Sequence, residues 1–247
     1  MNFNKKIDVL EKKDYFIFKI DNFLEKDLFL SINKNFPNID HKLNIFDDFK
    51  RCSFSQDKVN FENENQKNII NQFNDLVQSK EFFNFFVQKI FFKAAKSQSN
   101  FLRMIKYLRY PVKNNNLNSF TDYLFSKIDV QYVFSFIKNM GGINPHVDAQ
   151  RKYLSLMLYF PDGTKDIEYG TTFWHSKIPN HSNTHISKKN EVQDFKLNSK
   201  KILKTEFIPN CLYGFLRNDF SWHSVEPIDV SDNYIRKSIN INFIYKN

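Results

Sequence analysis

Val130-Gln131-Tyr132-Val133-Phe134-Ser135-Phe136-Ile137 is a run of β-branched and aromatic residues without glycine or proline, and it marks a change of character along the chain. Similar short runs follow at Tyr153 to Phe160, Thr171 to Trp174, Ile202 to Ile208, Cys211 to Leu216 and Tyr234 to Tyr245, each bounded by turn-forming residues. Toward the N-terminus the period is helical instead. Ile69, Ile70, Phe73, Leu76, Val77, Phe82, Phe85, Phe86 and Ile90 recur at three- and four-residue steps between Asn63 and Ser97. Tyr15 to Ile20 reads as a strand, and the stretch that follows, as far as Phe36-Pro37, as a helix. Helices followed by many short strands predict a mostly β fold with N-terminal helices: a barrel or jelly roll with helices packed on one sheet.

The 247 residues are 41% hydrophobic and 17% aromatic, enough side-chain area for one sizeable core and too much for a disordered chain. We expect a single domain over 1–247, with a helix-rich support region at 1–127 and a jelly-roll core at 128–247. The polar run Lys113 to Ser119 reads as a loop, and the long Lys-rich stretch of about 175–205 as a lid-like loop. Apolar clusters such as Phe82 to Phe92 are broken by Asn84, Gln88 and Lys89, so no membrane span is expected. The opening Met1 to Lys6 runs into charge where a secretory leader needs an apolar stretch, which leads us to expect a cytoplasmic protein with Cys52 and Cys211 reduced. The net charge of +9 comes from 30 Lys and only 6 Arg beside 31 Asn, the usage of an A+T-rich coding sequence. We therefore read the charge as solvated surface rather than as a nucleic-acid site.

His146-Val147-Asp148 places an imidazole and a carboxylate two residues apart, on one face of an extended segment. His223 lies far enough downstream for a late strand to return beside the first and complete the set. Two imidazoles and a carboxylate make the facial triad that suits non-haem Fe(II) and leaves positions open for other ligands. Arg236-Lys237-Ser238 follows thirteen and fifteen residues after His223. A hairpin near Asp229-Val230 is expected to fold this strand back along the His223 strand, with Arg236 and Ser238 on one face. A guanidinium beside a hydroxyl suits a carboxylate. The other histidines fit less well: His41 falls in the helical region, and His175, His181 and His185 flank or occupy the polar loop. His181 and His185, four apart, could share a metal on a helix.

The ordered set His146-x-Asp148, His223, Arg236-x-Ser238 resembles the iron(II)- and 2-oxoglutarate-dependent oxygenases, whose fold is a double-stranded β-helix, or jelly roll, supported by helices. Phe18 to Pro37 is similar to the opening of prolyl-4-hydroxylase-like members, Gly142-Ile143-Asn144-Pro145 to their approach to the His-x-Asp strand, and Leu156 to Phe160 to the strand after it. Gly170-Thr171-Thr172-Phe173 and Tyr213-Gly214-Phe215 resemble later pieces. Arg236 stands where prolyl hydroxylases themselves usually have lysine, which turns the resemblance toward other branches. The resemblance implies that His146, Asp148 and His223 bind Fe(II), that Arg236 and Ser238 bind the distal carboxylate of 2-oxoglutarate, and that Tyr159 contacts this co-substrate. It implies a dioxygenase that uses O2 to hydroxylate a small molecule or a peptide residue, releasing succinate and CO2. Trp222 and Ser224 should point away from the metal, with Trp222 in the core. Two alternatives stand beside this: a cupin-like metal-binding jelly roll without 2-oxoglutarate chemistry, and a basic interaction module.

Overall fold

The computed structural model describes residues 5–12, 15–39, 46–94, 120–162, 164–179 and 186–246. His41, His181, His185 and the run Lys113 to Ser119 lie outside the described residues. The strands are β1 (Asp8–Glu11), β2 (Ile17–Ile20), β3 (Arg51–Ser55), β4 (Ile128–Lys138), β5 (Ile143–His146), β6 (Lys152–Phe160), β7 (Thr172–His175), β8 (Lys200–Lys204), β9 (Leu212–Leu216), β10 (Trp222–Val225) and β11 (Ile235–Tyr245). The helices are α1 (Lys26–Lys34), α2 (Glu64–Gln78), α3 (Lys80–Ala94), α4 (Phe120–Lys127) and α5 (Lys189–Asn198). None is long and apolar enough, among the described residues, to cross a membrane.

The strands form two antiparallel sheets, one in the order β1-β2-β9-β6-β11-β4-β3 and one in the order β5-β10-β7-β8. From β4 onward the chain passes between them repeatedly, giving a jelly-roll-like pair of facing sheets. Phe173 of β7 packs with Met157, Tyr159, Tyr213 and Phe215 of the larger sheet, and Val225 of β10 packs with Ile137 of β4.

The pleat of β11 shows why the interior can be polar. Its odd-numbered residues Ile239, Ile241, Phe243 and Tyr245 enter the main core with the helices, where the Phe243 ring lies 5.6–6.0 Å from those of Phe82, Phe83 and Phe86. Its even-numbered residues Arg236, Ser238, Asn240 and Asn242 line the space between the sheets. Helix α2 begins where the Asn63 side chain accepts from the Gln66 N–H at 2.9 Å, and buries Ile70, Phe73 and Val77 at the spacing seen in the sequence.

Two expectations need correction. β10 and β11 do not form a hairpin: they belong to different sheets, and the segment between them crosses from one to the other. The region of about 175–205 is not one lid-like loop, since it contains α5 and β8. Phe195 explains the docking of α5, because its ring packs 4.7 Å from that of Trp222 and 6.0 Å from that of Trp174 on the outer face of the smaller sheet.

Candidate metal centre

β5 and β10 pair antiparallel with His146 opposite His223, which brings the two rings to 4.2 Å between centroids. Asp148 follows two residues later, on the turn into β6. Val147 between them points the other way, into the cluster of Trp174, Phe195 and Trp222. Each of the three residues offers a ligand atom, these atoms lie within 4.8 Å of one another, and all three residues are buried. The group could hold a metal ion.

The donor set is oriented by its neighbours. Nδ1 of His146 is 2.9 Å from the Asn144 carbonyl and Nδ1 of His223 is 3.0 Å from the Ser221 carbonyl. A carbonyl can only accept, so each Nδ1 carries the hydrogen and each neutral ring has its lone pair on Nε2. Such outer hydrogen bonds are the usual means of fixing the tautomer of a ligating histidine. Asp148 accepts from the Ser155 hydroxyl on one carboxylate oxygen at 2.6 Å and from the Lys152 ammonium on the other at 2.7 Å. Its main-chain carbonyl accepts from Nε of the fully buried Arg217 at 3.0 Å, and Arg217 in turn pairs with Asp219.

Electrostatics favour the metal-ready state of these groups. Burial alone would raise the Asp148 carboxyl, but the Lys152 ammonium, joined by the imidazoles once they are protonated, holds it well below the usual carboxylate range. Burial lowers His223 from its ordinary value of 6.5, with Asp148 opposing, so the imidazole is neutral at pH 7.

Arg236 lies on β11 and so faces the triad from the opposite sheet across a cavity of about 230 Å³. The residue is 2% exposed. Nε donates to the Tyr169 carbonyl at 2.6 Å, and the guanidinium lies 4.5 Å from the Phe207 ring centroid and 5.2 Å from that of Tyr159. Among the described residues no carboxylate pairs with it. Burial pushes the guanidinium below its ordinary value, with Tyr159 and Tyr234 opposing. A buried cation without a counter-charge is costly unless something anionic arrives.

Ser238 is buried on the same face of β11 and lines the same cavity, opposite Ser135 of β4 on one side and Tyr159 of β6 on the other. The Tyr159 hydroxyl lies 2.9 Å from that of Thr171 and 3.1 Å from that of Thr205. Gly170 makes that meeting possible, since a Cβ there would sit 1.8 Å from the Thr205 carbonyl oxygen. Tyr159 thus reaches the cavity with its ring, beside Arg236, while its hydroxyl is held by two threonines. Trp222 and Ser224 point away from the triad, as their place in the strand predicts: Trp222 packs on Phe195, and Ser224 accepts from the Trp174 indole N–H at 2.9 Å. His175 ends β7 as an exposed residue apart from the triad.

Sequence reasoning missed Lys152, Ser155, Arg217, Asn240 and Asn242. The two asparagines carry a readable signal, because they continue the period-two polar face begun by Arg236 and Ser238. The other three give none, since only the fold brings them to Asp148.

No family model matches the chain, and no curated protein matches it in sequence. Solved structures do match in shape. The non-haem α-ketoglutarate-dependent epimerase SnoN from nogalamycin biosynthesis superposes with a TM-score of 0.52 at 9% identity, covering 95% of this chain and 82% of that one. SnoN in complex with Fe3+, α-ketoglutarate and nogalamycin RO gives 0.51 at 8% identity with the same coverage. A prolyl-4-hydroxylase from Pseudomonas putida gives 0.47 at 13% identity over 94% of each chain. At these identities the likeness to SnoN establishes a shared fold.

Proposed function

We propose that this chain is an Fe(II)- and 2-oxoglutarate-dependent dioxygenase, built on a double-stranded β-helix, that uses O2 to hydroxylate a small molecule or a peptide residue. The observation that carries the reading is the pairing, in one cavity, of a buried two-histidine, one-carboxylate group with a buried arginine that has no carboxylate partner among the described residues. The first fits a metal ion with open positions, and the second fits an acid that is absent from the chain itself. A cupin-like metal protein would account for the triad and leave Arg236 without a purpose. The SnoN structure with Fe3+ and α-ketoglutarate supports the reading, because it shows that this fold accommodates both.

In this account His146 and His223 bind the metal through Nε2, and Asp148 through a carboxylate oxygen. Bound iron supplies the activation of O2 that couples decarboxylation of 2-oxoglutarate to succinate and CO2 with oxidation of a substrate C–H bond. The protein's part is placement. Arg236 and Ser238 receive the distal carboxylate of the co-substrate, and the rings of Tyr159 and Phe207 flank the guanidinium and keep water from it. The carbonyls of Asn144 and Ser221 hold both imidazoles in the ligating tautomer.

Succinate release tests this. Purified protein supplied with Fe(II), ascorbate, O2 and 2-oxoglutarate should form succinate slowly even without its own substrate, and His223→Ala should not. Equal succinate formation by the wild type and by His223→Ala, or none from a wild type shown to hold both iron and 2-oxoglutarate, would overturn the reading.

A further inference from the structure

Both oxygens of Asp148 are engaged, and the two engagements differ in kind. The oxygen held by Ser155 sits in a buried, neutral network. Ser155 Oγ is 2.6 Å from Asp148 Oδ2 and 3.3 Å from Asn242 Oδ1. Serine has one hydrogen and the ionised carboxylate can only accept, so the shorter contact takes it and Ser155 donates to Asp148 Oδ2. Ser155 and Asn242 are directly opposite each other on β6 and β11, so the two middle strands of the larger sheet hold this contact rigid.

The oxygen held by Lys152 is engaged by a cation on a flexible stem. Lys152 Nζ is 2.7 Å from Asp148 Oδ1, the lysine side chain is about a quarter exposed, and it lines the cavity. It has solvent to move into, whereas Ser155 does not. A metal ion at the triad needs one oxygen of Asp148, and a single carboxylate cannot neutralise a divalent cation and an ammonium at the same time.

We propose that Lys152 is a placeholder cation for the metal: it neutralises Asp148 in the metal-free protein, yields Oδ1 when the metal enters and swings to the cavity mouth, while Ser155 holds Oδ2 as the non-ligating oxygen. Lys152 and Ser155 are positioning residues of opposite effect. The lysine competes with the metal, and the serine aims the carboxylate at it. This inference rests on the metal-binding reading above and adds the order in which two cations occupy one oxygen.

Calorimetric titration of the apoprotein with Ni(II), which avoids oxidation, reads the first half. Lys152→Met should bind Ni(II) more tightly, by about tenfold, and Ser155→Ala more weakly, by roughly 10–100-fold. A structural role for both residues would weaken binding in both variants. The second half is read on the unmodified chain by amine acylation followed by peptide mass spectrometry. Lys152 should become more reactive when Ni(II) is added, because the metal releases it from its ion pair. Weaker or unchanged binding by Lys152→Met, or acylation of Lys152 that does not rise with Ni(II), overturns the placeholder role while the metal site stands. A wild type that binds no Ni(II) overturns the metal reading, and this inference falls with it.

Discussion

Arg236 is the residue whose chemistry the chain itself leaves unfinished. A guanidinium buried against Tyr159 and Phe207, with one main-chain acceptor and no counter-charge among the described residues, carries a desolvation cost that the chain does not offset with a carboxylate. Arg236→Met should therefore stabilise the metal-free fold by about 1 kcal/mol or more, the relief of desolvation exceeding the lost hydrogen bond to Tyr169. The same variant should no longer gain thermal stability from 2-oxoglutarate in the presence of Ni(II), whereas the wild type should. Paired melting curves check both statements, and a variant that melts lower without ligand would show that the arginine is already satisfied. His223 gives a pH dependence. Its folded pKa lies below 6.5, so as the pH falls through 6.5 the unfolded chain takes up a proton that the folded one refuses. Stability of the metal-free wild type is thus full above that value and declines below it, and His223→Gln should flatten the melting temperature between pH 7 and 5.

At the scale of elements, the two sheets differ in what the sequence discloses. β4, β6 and β11 announce themselves, because β-branched and aromatic residues on the helix-facing side alternate with the cavity side, and their observed bounds lie close to the runs read from sequence. β3 at Arg51–Ser55 and β1 at Asp8–Glu11 are short edge strands, and nothing in five or four residues separates them from loop. The hairpin expected between His223 and Arg236 failed for a related reason. A connection that turns back within one sheet and a connection that crosses to the facing sheet use the same turn-forming residues, and only the packing of Val225 and Ile228 beneath Ile137 decides between them. α5 was hidden by its composition, since a single buried aromatic, Phe195, docks an otherwise polar helix. Phe195→Ala should cost about 3 kcal/mol in urea unfolding, and a loss near zero would mean that α5 does not dock. Gly214 makes a converse point on β9. A Cβ there would lie 2.3 Å from the Phe18 ring and 2.7 Å from Leu156, so Gly214→Ala should cost about 1–3 kcal/mol through overpacking.

For the molecule as a whole, the candidate site was more legible than its surroundings. His146, Asp148, His223, Arg236 and Ser238 were readable because the proposed chemistry asks for particular residue types at set spacings, and the structure brings all five to one cavity. The groups that hold them were not. Arg217, Lys152 and Ser155 reach Asp148 from the sheets and turns beyond it, so a linear reading has no reason to connect them with it. The net charge of +9 finds no such focus in the sequence, and three lysines, Lys196, Lys201 and Lys204, cluster around Glu226 on the outside of the smaller sheet. The proposed function places iron at one wall of a single cavity and the far carboxylate of 2-oxoglutarate at the other. Anaerobic titration of the apoprotein with Fe(II) and then 2-oxoglutarate measures this directly through the visible charge-transfer band of an iron-chelated keto acid. A band should saturate in the wild type and need roughly 10–100-fold more 2-oxoglutarate in Arg236→Ala, the loss expected for a charge-assisted pair. Iron bound without a band, or a band with the same 2-oxoglutarate dependence in both proteins, would contradict it.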